Sequence, residues 1–137
     1  MSFLGICKQL LELDPAIRTA SIVQLDGTLV ATATNPNVTL LLNREEFQLI
    51  VMQSLIRLNI SRTMEHKLGK PTYSLTKYER MIGSTLPVID RRNKLNLGEE
   101  FVVLLSFDIG ANPVLIIEAK VFPYIDKLLL PEIVQAV

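Results

Sequence analysis

The segment NREEFQLIVMQSLIRLNISRTMEH, residues 43–66, decides the fold of this chain. Asn43 followed by Glu46 is typical of a capping box, in which each residue satisfies a backbone N–H group of the other at the start of a helix. The apolar spacing that follows predicts a long helix from residue 44 to about residue 66, ending before Gly69.

This long helix carries two apolar stripes. A surface helix of a globular protein ordinarily has one. Two stripes predict two buried sides, one packed on a sheet and the other against a partner. The sequence leaves open which stripe faces the sheet, and a tail or the loop at residues 35–42 could instead cover the second stripe within one chain. The first stripe is Phe47, Ile50, Val51, Leu55 and Leu58, and the second is Leu49, Met52, Ile56 and Ile60.

A helix and a hairpin are predicted before the long helix. Residues 2–13 have apolar residues at helical spacing. Residues 18–25 and 28–34 are two β-prone runs separated by Asp26-Gly27, a dipeptide that favours a tight hairpin turn. The chain therefore enters the long helix from a two-stranded antiparallel unit.

Three strands and a final helix are predicted after the long helix. The strands cover residues 72–79, 80–88 and 101–107, with a polar loop between the last two. The third strand, FVVLLSF, is apolar on both faces, which is typical of a central strand covered on both sides. Asn112-Pro113 opens the final helix. Within it, Pro123 should produce a kink or a split, and Pro131 should end its regular part.

These elements predict an α+β fold in the order α-β-β-α-β-β-β-α. The five strands form a mostly antiparallel sheet, with the long helix on one face and the terminal helices on the other. A length of 137 residues fits one domain, residues 1–137.

Composition narrows the classes of function. The chain is 49% hydrophobic and 20% charged, with 14 basic and 14 acidic residues, so no excess of positive charge predicts a nucleic-acid partner. No stretch reaches the roughly 20 apolar residues of a membrane span. The single cysteine, Cys7, lies among apolar neighbours and fits a reducing compartment. With no signal peptide apparent, we predict a soluble, cytoplasmic protein.

The residues offer little chemistry. The only histidine, His66, lies near the end of the long helix, where the helix dipole favours it. One histidine and one cysteine cannot form the usual zinc sites, and the six glycines form no phosphate-binding loop. We therefore predict no enzyme, with no catalytic, cofactor-binding or metal-binding residues.

The stretch KQLLELDPAIRTASIVQLDGTLVATA, followed by the long helix and the three-strand meander, resembles the Roadblock/dynein-light-chain superfamily, which has a profilin-like fold. The stretches CKQLLELDPAIRTASIV, HKLGKPTYSLTKYER and STLPVI are similar to a small uncharacterised archaeal family related to that superfamily. The resemblance covers essentially the whole chain and concerns structural motifs, so it informs the fold more than the role.

The resemblance implies a dimer of this chain with itself or with a related subunit. In Roadblock-like proteins the long helices pack side by side and the middle strands pair edge to edge. It also implies a scaffold or regulator whose client is a small Ras-like GTPase or a signalling assembly. The interface would comprise Leu49, Met52, Gln53, Ile56, Ile60, Thr72, Ser74, Thr76 and Tyr78.

A small-molecule sensor domain of the PAS or profilin-like type is the alternative. It would bind a ligand between the sheet and the long helix, in an apolar cavity with a few convergent polar groups. The absence of tryptophan and the scarcity of buried polar candidates weigh against it.

Overall fold

A computed structural model describes residues 2–130 of the chain. Five antiparallel strands form one sheet in the order β2-β1-β5-β4-β3. The strands are β1 (Ile17–Val23), β2 (Leu29–Thr34), β3 (Ser74–Lys77), β4 (Met81–Ile89) and β5 (Glu100–Asp108), and the α-helices are α1 (Phe3–Glu12), α2 (Arg44–Ser61), α3 (Glu65–Leu68), α4 (Pro113–Ile116) and α5 (Phe122–Leu129).

Strand β5 is the centre of the sheet, as its FVVLLSF sequence predicted. All seven residues from Phe101 to Phe107 are buried. Alternate side chains enter two separate cores, one beneath α1 and the C-terminal helices and one beneath α2. The predicted fold class is therefore confirmed, with the long helix on one face and the terminal helices on the other.

The start of α2 is the predicted capping box. The Asn43 side chain accepts a hydrogen bond from the backbone N–H of Glu46 at 2.8 Å, and the Glu46 carboxylate accepts one from the backbone N–H of Asn43 at 2.9 Å. This reciprocal pair satisfies two N–H groups that a helix start leaves without partners.

The end of the long helix differs from the prediction of one continuous helix to about residue 66. Helix α2 stops at Ser61, a 3₁₀ turn (Arg62–Met64) follows, and α3 continues to Leu68. The hydroxyls of Ser61 and Thr63 donate back to the carbonyls of Arg57 and Ile60. Such bonds compete with regular helical pairing and favour an irregular turn at this point.

The C-terminal helix is irregular just before Pro123, where a kink or a split was predicted. A π-helical turn (Ile117–Val121) separates α4 from α5, and Pro123 lies in the first turn of α5. Proline lacks an N–H group and its ring crowds the carbonyl four residues earlier, so a wider turn before it accommodates the ring. Pro131, predicted to end this helix, lies outside the described residues.

The loop between β4 and β5 contains a buried acid that the sequence did not reveal. Asp90 is 3% exposed, and its carboxylate accepts hydrogen bonds from the backbone N–H groups of Lys94 and Leu95. Arg91 and Arg92 are exposed, as expected of a solvated loop.

Among residues 2–130, no helix is long and apolar enough to cross a membrane.

Candidate protein interface

The second apolar stripe of the long helix is exposed. Leu49, Met52, Ile56 and Ile60 are between 55% and 63% exposed, and the neighbouring Gln53 is exposed as well. We call this set of five residues, which contains no acidic or basic side chain, the α2 stripe. Four large apolar side chains in a row are unusual on the surface of a protein that is complete on its own.

The first stripe faces the sheet, which answers the question that the sequence left open. Val51 and Leu58 are buried against Val23, Val102 and Leu104. The loop at residues 35–42 leaves the α2 stripe exposed, so it does not provide the cover that the sequence allowed. The alternative cover, a tail after Pro131, lies outside the part of the chain that the structure describes.

Strand β3 forms one edge of the sheet. It pairs with β4 on one side only and is four residues long, shorter than the predicted strand at residues 72–79. An unpaired strand edge presents backbone N–H and C=O groups that a second chain can pair with.

Because β3 is shorter than predicted, only two of the four predicted interface residues of this region lie within the strand. Ser74 and Thr76 lie in β3, and Thr72 and Tyr78 lie just before and just after it. Ser74, Thr76 and Tyr78 share one register on the side of the sheet that faces α2. Thr72, Ser74 and Tyr78 are exposed, and Thr76 is half-buried.

A hydrogen bond joins the helix to this edge strand. The Arg57 guanidinium donates to the Thr76 hydroxyl at 3.0 Å. The α2 stripe and the open edge of β3 therefore belong to adjoining parts of the surface. A partner that contacts both would bury apolar side chains and complete a backbone ladder at the same time.

Several titratable residues outside this surface have contacts typical of residues that support the fold. Cys7 is fully buried, and burial raises the pKa of its thiol to about 11. The hydrogen bond from Lys120, at 2.8 Å, and a second bond from the Ala16 N–H lower the pKa of Asp14. His66 is exposed in α3. Within residues 2–130, no three His, Cys, Asp or Glu side chains cluster in a way that could hold a metal ion.

The architecture is that of Roadblock/LC7 domains. A Roadblock/LC7 domain from Streptomyces avermitilis superposes with a TM-score of 0.63 at 9% identity, covering 94% of this chain and 92% of that chain. MglB of Myxococcus xanthus gives a TM-score of 0.65 at 12% identity, with 93% and 91% covered. The gliding protein MglB of Thermus thermophilus gives 0.63 at 15% identity, with 91% and 80% covered. At these low identities the TM-scores establish a common fold.

Comparison of the sequence with family models assigns the chain to a narrower group than the fold does. Residues 2–97 match the model of a family described as "Family of unknown function (DUF6659)", and the chain belongs to that family. A comparison with curated proteins gives no match.

Proposed function

We propose that this protein is a non-enzymatic scaffold or regulatory module that works as a homodimer. The observation that carries the proposal is the exposed α2 stripe beside the open edge of β3. In a two-fold dimer each stripe would pack against its copy, and burying a large apolar side chain contributes on the order of 1–3 kcal/mol. A solved MglB structure described as having a tetrameric arrangement, at 16% identity and a TM-score of 0.61, supports assembly as a property of this fold.

The oligomeric state tests the pairing. We expect analytical ultracentrifugation at micromolar concentration to show a dimer of the wild type. Ile56→Glu should give a monomer, because a charge buried in an apolar interface without a partner is strongly unfavourable. Gln48→Glu is the matched control, since Gln48 is exposed on α2 outside the stripe. A wild type that stays monomeric at these concentrations would refute the pairing.

The client that we propose is a small Ras-like GTPase or a signalling protein, and this rests on the Roadblock resemblance. Affinity capture from the native cytosol, performed in parallel with GTP and with GDP, is the direct test. Enrichment of one small GTPase in one nucleotide state supports the proposal. Recovery of no GTPase in either state argues against this class of client and leaves the dimer proposal standing.

A further inference from the structure

A cavity of about 330 Å³ lies between α2 and the sheet. It exists because α2 rests on only one end of this sheet face, where Val51 and Leu58 pack on Val23 and Val102. Over the other end the helix and the sheet separate, and the loop at residues 35–42 closes part of the gap. The volume is at the lower end of the range for small-molecule sites, about 300–1,000 Å³.

The floor of this cavity is a row of five residues, one from each strand, and four of them carry a hydroxyl group. Thr19 pairs with Thr34 and with Ser106, Ser106 pairs with Gly83, and Gly83 pairs with Thr76. All five residues line the cavity. The Thr19 and Ser106 hydroxyls are 2.6 Å apart. One hydrogen bond between two hydroxyls leaves a second donor and several acceptor sites for a ligand.

Two backbone features open this floor. Gly83 lies in the middle of the row, and a Cβ atom placed there would contact only the Met81 Cε, at 3.8 Å. A glycine inside a strand is typical of a position where another molecule approaches closely. A register shift between Ile17 and Thr19 places both Arg18 and Thr19 on the cavity, as β-bulges beside binding sites often do.

The roof is apolar. Leu40, Leu41 and Leu42 of the loop and Phe47 and Ile50 of α2 line the side opposite the hydroxyl row. The hydroxyl groups of the floor differ from the expectation that few polar side chains would meet beneath the helix. A ligand held here would need one apolar side and one side that hydrogen-bonds.

The charged residues that line the cavity are all basic. Arg18, Arg44 and Arg57 line it, and no aspartate or glutamate does so among residues 2–130. Arg18 is neutralised by Asp108 at 3.0 Å. In the described part of the chain, neither Arg44 nor Arg57 forms an ion pair. The cavity therefore has two exposed arginines at its margin without an acidic partner in the described residues, which favours an anionic ligand.

We infer that this cavity binds a small amphipathic carboxylate. Its hydrocarbon part lies under Leu40 and Phe47, and its carboxylate reaches Arg57, whose guanidinium uses one N–H group on Thr76 and keeps four others. A phosphate group fits less well, because the Asn43–Glu46 capping box occupies N–H groups at the α2 start that would otherwise attract it.

Decanoate, titrated by calorimetry below its micelle concentration, is the probe, and decan-1-ol is its uncharged counterpart. We expect the wild type to bind decanoate about ten-fold more tightly than decan-1-ol, since a charge-assisted hydrogen bond is worth about one factor of ten. Arg57→Gln should remove that difference by weakening decanoate alone. Arg91→Gln, at an exposed arginine of the loop between β4 and β5 that does not line the cavity, should change neither affinity.

Gly83→Val tests the location of the site, since its side chain would project into the cavity. We expect it to abolish binding of both probes while circular dichroism shows a folded protein. If this variant does not fold, backbone amide shifts of the wild type on adding decanoate must fall at Thr19, Gly83 and Ser106. Absence of decanoate binding, unchanged binding in folded Gly83→Val, or shifts confined to the α2 stripe would each overturn the inference.

Discussion

Arg62, just beyond the last residue of α2, forms an ion pair with Glu100, the first residue of β5, although 38 positions separate them in the sequence. Both side chains are largely shielded, at 25% and 16% exposure. The pair ties the end of the long helix to the central strand. The cation also lies where the carbonyl groups at a helix C-terminus favour positive charge.

Removing the charge of Glu100 should loosen this attachment. We expect Glu100→Gln to lower the free energy of unfolding by about 1–2 kcal/mol, because a half-buried, charge-assisted hydrogen bond becomes a neutral one. Urea denaturation at low salt measures the loss. Glu99→Gln is the matched control, because Glu99 is exposed and forms no ion pair in the described chain. Equal effects of the two substitutions would mean that the pair adds no stability.

The capping box of α2 gives a second prediction. Asn43→Ala should lower the free energy of unfolding by about 1 kcal/mol, since it leaves the Glu46 N–H without its acceptor. Asn59→Ala is the control, because Asn59 is exposed in the helix interior, where alanine is favoured. Thermal unfolding of both variants measures the difference. A stability loss no larger in Asn43→Ala than in Asn59→Ala would contradict the capping role.

The open edge of β3 gives a third prediction, which concerns pairing. Along an antiparallel strand, successive residues direct their N–H groups to opposite sides. The Tyr78 N–H donates to the Met81 carbonyl, and Thr76 lies two residues earlier in the same register. The N–H of Lys77, between them, therefore points away from β4. Lys77→Pro should leave the fold intact and weaken the proposed dimer at least ten-fold, because proline removes a donor from the free edge. Sedimentation equilibrium measures the dissociation.

Thr76→Pro is the matched variant for this prediction. Its substitution removes a donor on the β4 side, so we expect a loss of stability from it that Lys77→Pro does not show. A dimer of unchanged affinity in Lys77→Pro would exclude β3 from the interface, and the α2 stripe alone would then have to hold the two copies together.

Cys7 gives a fourth prediction, on pH dependence. Burial raises its pKa from 9.0 to about 11. The unfolded chain therefore loses the thiol proton first as the pH rises, so the thiol's contribution to stability is present below pH 9 and is lost between pH 9 and about 11. We expect unfolding free energy to fall more steeply across this window in the wild type than in Cys7→Ala. Parallel pH profiles would show that Cys7 titrates alike in both states.

Reactivity provides a separate measurement for the same thiol. Iodoacetamide at about pH 8 should modify native Cys7 far more slowly than the urea-unfolded chain, because the thiolate is the reactive form and the side chain is enclosed. Fast modification of the native protein would contradict the burial of this residue.

The sequence by itself determined the elements whose causes are local. The Asn43–Glu46 capping box and the doubly apolar FVVLLSF strand each depend on residues a few positions apart. The predicted two-residue turn at Asp26-Gly27 forms as a three-residue loop that also includes Leu25, closed by the hydrogen bond between Gln24 and Thr28. The two stripes of the long helix could also be predicted, because the spacing of apolar residues at about 3.6 positions can be read directly from the sequence. The sequence did not predict the interruption after Ser61. Serine and threonine fit both a regular helix and a turn in which the hydroxyl bonds to the backbone, and the surrounding structure determines which one forms.

The tertiary structure alone decided which stripe meets the sheet and where the helix leaves it. Sequence periodicity is the same for a stripe facing a core and one facing a partner, and only packing against Val23 and Val102 distinguishes them. The hydroxyl floor depends on strand register, which brings Thr19 beside Ser106 across 87 positions. Register is set by contacts between distant segments, and a shift of one residue would have turned these hydroxyls to the other face.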